Sequence, residues 1–523
     1  MKLNQIILAA SAVCVTPVAF ALTPAQIDNS TVRLWLTGSA ALADPIFKAV
    51  LSTCQGMTYR DNHGVYYTNP GVRDAHIYLE SASADKLPGA AGERMAYVCT
   101  IDTQDDRAGS LESRKVVVYH SVEGGSFSAY SPHLRIMGDT NNNLPNSLAR
   151  INNIEGLAQN GQCAAAAAAE SISINLGGLY NLVNVYRGCA LTNQTFEVGQ
   201  ARRANVFASP DRPEGGYSST EYVINQLNLN IGIGLDSIGS EIPVGIGQTF
   251  GVAVSLPLYY QLQKNDIAAG KIAATCDDAP STSTNPNQTG ACQPNMAAST
   301  YTAIANSDSI GFVDGTLFGA AATPPGTSGK IQFHRRHNIS GVQSASNLRF
   351  LNKPCATSEA VGALEPSRSA HSTARVNVLE TYSNRSVSDR LDYATDRGEF
   401  GLGVMSMEIT RSNAYSSRWA FVKLDGVSPN FTSTGAVDYK QRANAIEGNY
   451  TFWYMPVAFT ANTAFTEGYD LIGAVNIAFL GGPVLTNATT GLFGDPAHSW
   501  VQGRNEAFIG KFSRANISCQ PAY

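Results

Sequence analysis

Residues 331–351 read IQFHRRHNISGVQSASNLRFL. An apolar stretch, read as a strand, runs into His334-Arg335-Arg336-His337. Asn338-Ile339-Ser340-Gly341 follows as a loop, and the remainder reads as a helix. A helix start leaves backbone N–H groups without partners and carries partial positive charge. Both favour a bound anion. Gly341 lets the backbone come close to a ligand. Ser340 offers a hydroxyl, and an arginine offers a planar fork fitted to phosphate, sulfate or carboxylate. A Ser-Gly pair before a helix also serves as an ordinary N-cap, so the rest of the chain has to decide between the two.

The chain has 523 residues, enough for two to three domains, and 15% of them are charged, against about a quarter in an average protein. Ser, Thr, Asn, Gly and Tyr take the place of charge, as in secreted bacterial proteins. The net charge is −5 and there is no polybasic arm, which argues against nucleic acid as a partner. The start, MKLNQIILAASAVCVTPVAFA, has Lys2, an apolar run from Ile6 to Val15, and Ala19-Phe20-Ala21 as a cleavage site. That pattern predicts a signal peptide over 1–21 and an exported chain, periplasmic or extracellular. The run is too short for a membrane span. Val13 before Cys14 is too large for a lipoprotein signal. No other segment reads as a membrane span.

Without Cys14, the cysteines are Cys54, Cys99, Cys163, Cys189, Cys276, Cys292, Cys355 and Cys519. An even set in an exported chain reads as disulfides. On the order of a hundred pairings are open to it. The spacing suggests sequential pairs: Cys54–Cys99, Cys163–Cys189, Cys276–Cys292 and Cys355–Cys519. No C-x-x-C occurs, which leaves little for a zinc site.

Val32, Leu34 and Leu36 alternate as a strand, and Leu42, Ile46 and Val50 fall at helical spacing, with Pro45 in the first turn. Residues 114–130 repeat this plan. The alanine run opening 163–176 predicts a helix. Glycine-punctuated strands over 231–255 would pass from one lobe to another. Residues 399–409 read as a further strand, and Asp425-Gly426 as a hairpin turn. Strands alternate with helices, so the class is α/β.

The stretch Arg336-His337-Asn338-Ile339-Ser340-Gly341-Val342 resembles the R-x-D-x-S-G-T motif of the periplasmic phosphate-binding proteins of ABC transporters. Leu36-Thr37-Gly38-Ser39-Ala40-Ala41-Leu42, with Pro45-Ile46-Phe47, looks like that family's first loop, G-A-G-A-T-F-x-x-P-[VI]-Y. Gly124-Gly125-Ser126-Phe127-Ser128 resembles its second. Val206 to Pro213, containing Asp211, is similar to D-F-G-A-S-D-A-P, and Phe400-Gly401-Leu402-Gly403-Val404 to G-A-I-G-Y. These segments occur in family order over most of the mature chain, which is much longer than a usual member.

The resemblance implies a two-lobed type II periplasmic binding protein-like fold with insertions. Residues 22–240 would be the first part of lobe one, 241–405 lobe two, and 406–523 the C-terminal part of lobe one, with the ligand in the cleft between lobes. It implies Arg336, Ser340, Gly341, Val342, Gly38, Ser39, Ala40, Ser126 and Asp211 as ligand residues, with Arg335 turned to solvent. The ligand would be a small oxyanion such as phosphate, with no cofactor, and an ABC transporter permease could be the partner. Departures weaken the match to phosphate. Asn338 stands where the family has the aspartate that reads a protonated phosphate. Val342 and Ala41 replace threonines, and Leu42 a phenylalanine.

His334 and His337 are spaced for a metal but lack a nearby carboxylate, so a surface or packing role is the simpler one for them. Asp102 to Arg107 lacks the glycine and closing glutamate of an EF-hand. No G-x-S-x-G, H-E-x-x-H or P-loop occurs, which argues against an enzyme. Two readings remain. One is a solute-binding protein for an oxyanion. The other is a secreted or surface protein that keeps this fold and acts by binding a macromolecular partner.

Overall fold

All seven residues of the strand Val32–Gly38 are buried. A strand covered on both faces belongs inside a sheet, and this one pairs parallel with Lys115–Ser121 and Gly215–Ser218. The computed structural model describes residues 31–60, 65–82, 94–102, 108–122, 125–136, 147–151, 163, 170–176, 178–195, 213–277, 289–306, 313–355, 363, 375–408, 418–432, 434–436, 442–481, 492–493 and 518–519. Within them the chain is α/β and builds two large mixed sheets.

The first sheet runs Gly239–Pro243, Val457–Ala461, Gly215–Ser218, Val32–Gly38, Lys115–Ser121, Arg94–Thr100, His76–Leu79, Leu179–Tyr186, Glu170–Leu176. Leu34, Leu36, Val116 and Val118 bury one face of it against Ile46, Val50 and Val475. Each such side chain contributes about 1.5–3 kcal/mol. The second sheet runs Val376–Thr381, Ile331–Arg336, Gly401–Ser406, Gly247–Ser255, Trp419–Phe421, and Trp453–Tyr454 and Leu492–Phe493 also pair with Gly247–Ser255. Phe250, Val252, Val254, Phe333 and Leu402 form its core with Tyr259 and Leu348. The two cores are separate clusters, one to a lobe.

Lobe one takes strands from both ends of the described chain, since Val457–Ala461 returns to it. The outward crossing lies between Pro243 and Gly247, inside the glycine-punctuated stretch. The return lies between Tyr454 and Val457. Strands Trp419–Phe421 and Trp453–Tyr454 therefore still belong to the second sheet, well past the boundary expected at 405.

The alanine run, residues 164–169, where a helix is expected, lies outside the described residues, and the strand after it is described. Glu170–Leu176 is that strand, paired with Leu179–Tyr186. Ile172, Ile174 and Leu176 alternate, and strand pairing along the register outweighs the modest helix preference of the alanines upstream.

The four expected cysteine pairs all lie at bonding distance: Cys54–Cys99, Cys163–Cys189, Cys276–Cys292 and Cys355–Cys519. Thiol titration of the denatured, unreduced protein without residues 1–21 is expected to find none of the eight free. Two or more free thiols would break the scheme. No described helix is long and apolar enough to cross a membrane.

Candidate functional site

Ser340 is the N-cap of the helix Gly341–Leu351, and its hydroxyl accepts the Val342 N–H at 3.3 Å. Gly341 then meets the other lobe directly. A Cβ placed on it would stand 2.2 Å from Ser126 Oγ and 2.8 Å from Ser219 Cβ, so only glycine fits without moving the lobes. The Phe127 N–H donates to the Ile339 carbonyl at 3.1 Å, and Gly125, at φ 78°, lies against Ser340.

Four serines from both lobes gather here. Ser39 precedes the turn and helix that begin at Ala40 and Ala43. Ser126 opens the 3-10 turn Ser126–Ala129. Ser219 follows the strand Gly215–Ser218, just before the helix Tyr222–Leu229. The Ser126 hydroxyl donates to Ser219 Oγ at 3.1 Å, and the Ser219 N–H donates to Ser126 Oγ at 3.2 Å. Ser219 Oγ lies 2.8 Å from Ser39 Oγ. All four serines are at most 4% exposed. Gly38, at φ 131°, brings the first loop against Tyr217, and the Ser39 N–H donates to the Tyr217 carbonyl at 2.7 Å. One helical turn further along, Ser344 donates to Asn225 Oδ1 at 2.9 Å across the same junction.

Ser340, Gly341, Ser126 and Ser39 thus come together, with Gly38, Ala40 and Val342 flanking them. Asp211 lies outside the described residues. Ser219 and Asn225 take part without having been singled out in the sequence. Their signal was the run Ser218-Ser219-Thr220-Glu221 before a helix, a capping composition.

Of the two arginines, Arg335 departs from expectation. Arg335 is not turned to solvent: it is 2% exposed, donates through Nε to the Arg336 carbonyl at 3.1 Å, and bonds Asn338 Oδ1. The cause is the sheet. Ile331–Arg336 lies between Val376–Thr381 and Gly401–Ser406, so alternate residues on both faces are buried. Arg336 sends Nη1 to Asn384 Oδ1 and Nη2 to the Tyr382 carbonyl, each at 2.8 Å. Asn384 in turn donates to Ser406 Oγ at 2.6 Å and to Glu408 Oε1. An amide therefore bridges a buried cation and a half-buried carboxylate. Burial pulls Arg336 down to about 10 and pushes Glu408 up to about 7, while their mutual attraction opposes both shifts.

His334 and His337 are both buried, and burial lowers them to about 3 and about 4, with neighbouring arginines adding to the effect. No group of three or more His, Cys, Asp or Glu among the described residues could hold a metal ion. As a chemical surface, the junction presents hydroxyls and helix-start amides, with the nearest guanidinium groups engaged elsewhere.

No family model matches the chain. No curated protein matches it either. Among solved structures, a protein from Clostridium perfringens described as a phosphate ABC transporter substrate-binding protein, with bound phosphate, superposes on 49% of this chain and 78% of its own, with TM-score 0.26 and 10% identity. A protein from Planctomyces limnophilus described as a possible phosphate binding protein superposes on 82% of each chain, with TM-score 0.27 and 11% identity. Superpositions this loose do not say what this chain binds.

Proposed function

We propose that the chain is an exported two-lobed binding protein that takes a small oxyanion, phosphate or sulfate, at the junction of its lobes. The observation behind this reading is the meeting of Ser39, Ser126, Ser219 and Ser340, each beside the start of a helix or turn, from both lobes. Hydroxyls and N–H groups converge there, and among the described contacts none of the four serine hydroxyls bonds a carboxylate, while the Tyr222 N–H is taken by Glu241. Converging helix starts favour a negative charge. The leader pattern and the four cysteine pairs fit export, and an ABC transporter permease is the natural acceptor for such a cargo. The role is capture rather than catalysis.

The site differs from a guanidinium cradle. Arg336 is engaged with Asn384 and Tyr382, so binding rests on hydroxyls and amides. Asn338 is exposed and carries no charge, which removes a bias against fully ionised sulfate. Calorimetry with phosphate, sulfate and small carboxylates tests the reading. Gly341→Ala places a methyl against Ser126 and is expected to cut any oxyanion affinity at least tenfold. If the wild type binds none of these at millimolar concentration, the reading fails. The engaged arginine then favours the second reading, in which the protein acts by binding a macromolecular surface partner.

A further inference from the structure

Cys355 follows the helix Gly341–Leu351 and packs against the core of the second lobe. Its disulfide partner is Cys519, with the two Cα atoms 5.3 Å apart across a sequence separation of 164. The residue before Cys519 reaches the other lobe. The Ser518 N–H donates to Glu221 Oε1 at 2.7 Å, and its hydroxyl donates to Glu221 Oε2. Glu221 is the N-cap of Tyr222–Leu229, and the next residue is fixed to the first sheet: the Tyr222 N–H donates to Glu241 Oε1 at 2.8 Å. Ser518 is 7% exposed, so both bonds to the carboxylate are shielded from water, where charge-assisted hydrogen bonds are strongest.

We infer that Ser518 and Cys519 form a latch across the lobe junction, covalent on the second lobe through Cys355 and hydrogen-bonded on the first through Glu221. The other described ties across the junction include the serine cluster, the Phe127–Ile339 backbone bond, the Ser344–Asn225 bond, the side chain of Ile224, which enters the second lobe's core, and that of Ile339, which packs against a first-lobe cluster. Each is non-covalent and parts when the lobes separate. The latch keeps a carboxylate clasp beside them at high local concentration, because the disulfide leaves Ser518 little room to drift. Cys519 is exposed, so a small dithiol can release it. One thiolate attacks the disulfide, its second thiol resolves the mixed disulfide, and two electrons pass. The products are a cyclic disulfide and the free thiols of Cys355 and Cys519.

The test uses the full mature chain without ligand, so its outcome is independent of whether the junction binds an oxyanion. Hydrogen exchange is followed at the Phe127 amide, which reports lobe contact, and at the amides of Ile331–Arg336, which report the second sheet. The variant Cys355→Ser/Cys519→Ser is expected to speed exchange at Phe127 at least tenfold with the sheet amides unchanged. Glu221→Gln, which keeps the disulfide, is expected to do the same about threefold. Cys276→Ser/Cys292→Ser, within the second lobe, should leave Phe127 alone. Unchanged exchange at Phe127, or equal acceleration throughout the second sheet, overturns the latch. Should the double cysteine variant fail to fold, Glu221→Gln decides by the same two criteria.

Discussion

Arg336→Met is expected to destabilise the fold by about 3–5 kcal/mol, the usual cost of removing one member of a buried charge pair. Arg336 is 5% exposed, and its fork satisfies Asn384 Oδ1 and the Tyr382 carbonyl. Methionine fills much of the volume but donates nothing, so the buried Asn384 Oδ1 and the Tyr382 carbonyl lose this donor. Glu408, half-buried behind Asn384, also loses its compensating charge. Thermal unfolding should fall by roughly three to five degrees for a chain of this length. Adding Glu408→Gln to Arg336→Met should restore part of the loss, because the uncompensated carboxylate disappears with it. A fall of less than about 1 kcal/mol, accompanied by loss of oxyanion binding, would instead make Arg336 a ligand residue.

Acid should unfold this protein early, and His334 should account for much of the effect. His334 is 1% exposed, and neither ring nitrogen has a hydrogen-bond partner. Burial first, and the charge of Arg390 second, hold it at about 3. In the unfolded chain it takes a proton near 6.5. Between those values the unfolded state binds more protons than the folded one, so stability is present above 6.5 and drains away as pH falls. The full excursion amounts to about 5 kcal/mol. His76 and His337 at about 4 and His120 at about 3 act in the same direction. Glu241 and Glu408, raised to about 7, act oppositely, losing stability as pH rises from 4.5. Four histidines outweigh two glutamates, so the net slope favours neutral pH. Melting curves of wild type and His334→Leu from pH 7 to pH 4 check this. The variant should show a shallower fall, and parallel curves would remove His334 from the account.

The parts of the fold that were legible in the sequence were those with a local cause. Val32, Leu34 and Leu36 alternate because one face meets a core, and Ser340 caps a helix because its hydroxyl reaches an N–H two residues on. Three of the cysteine pairs, Cys54–Cys99, Cys163–Cys189 and Cys276–Cys292, join positions near each other in the chain. What was illegible depends on neighbours distant in sequence. Arg335 reads as turned to solvent, yet it lies in a strand flanked by parallel partners on both sides, and its neighbour Arg336 bonds residues some fifty positions away. The return to the first lobe was placed too early. Gly401–Ser406 suits either sheet by composition, and only its pairing with Gly247–Ser255 and Ile331–Arg336 assigns it. Ser219 escaped notice because Gly215-Gly216-Tyr217-Ser218 shows no apolar alternation. Its glycines are needed instead for backbone approach: a Cβ on Gly216 would stand 2.1 Å from the Thr37 carbonyl oxygen.

The place of Val457–Ala461 has a consequence for the order in which this protein can mature. That strand is interior to the first sheet, between Gly215–Ser218 and Gly239–Pro243. Both of its neighbours are synthesised long before it. At about 5–20 residues per second their facing edges stand open for tens of seconds, and open strand edges are templates for aggregation. Pairing so distant in sequence is also slow to find. A chaperone that shields the nascent chain therefore has to stay until the last interior strand arrives, and the N-terminal half cannot complete its sheet alone.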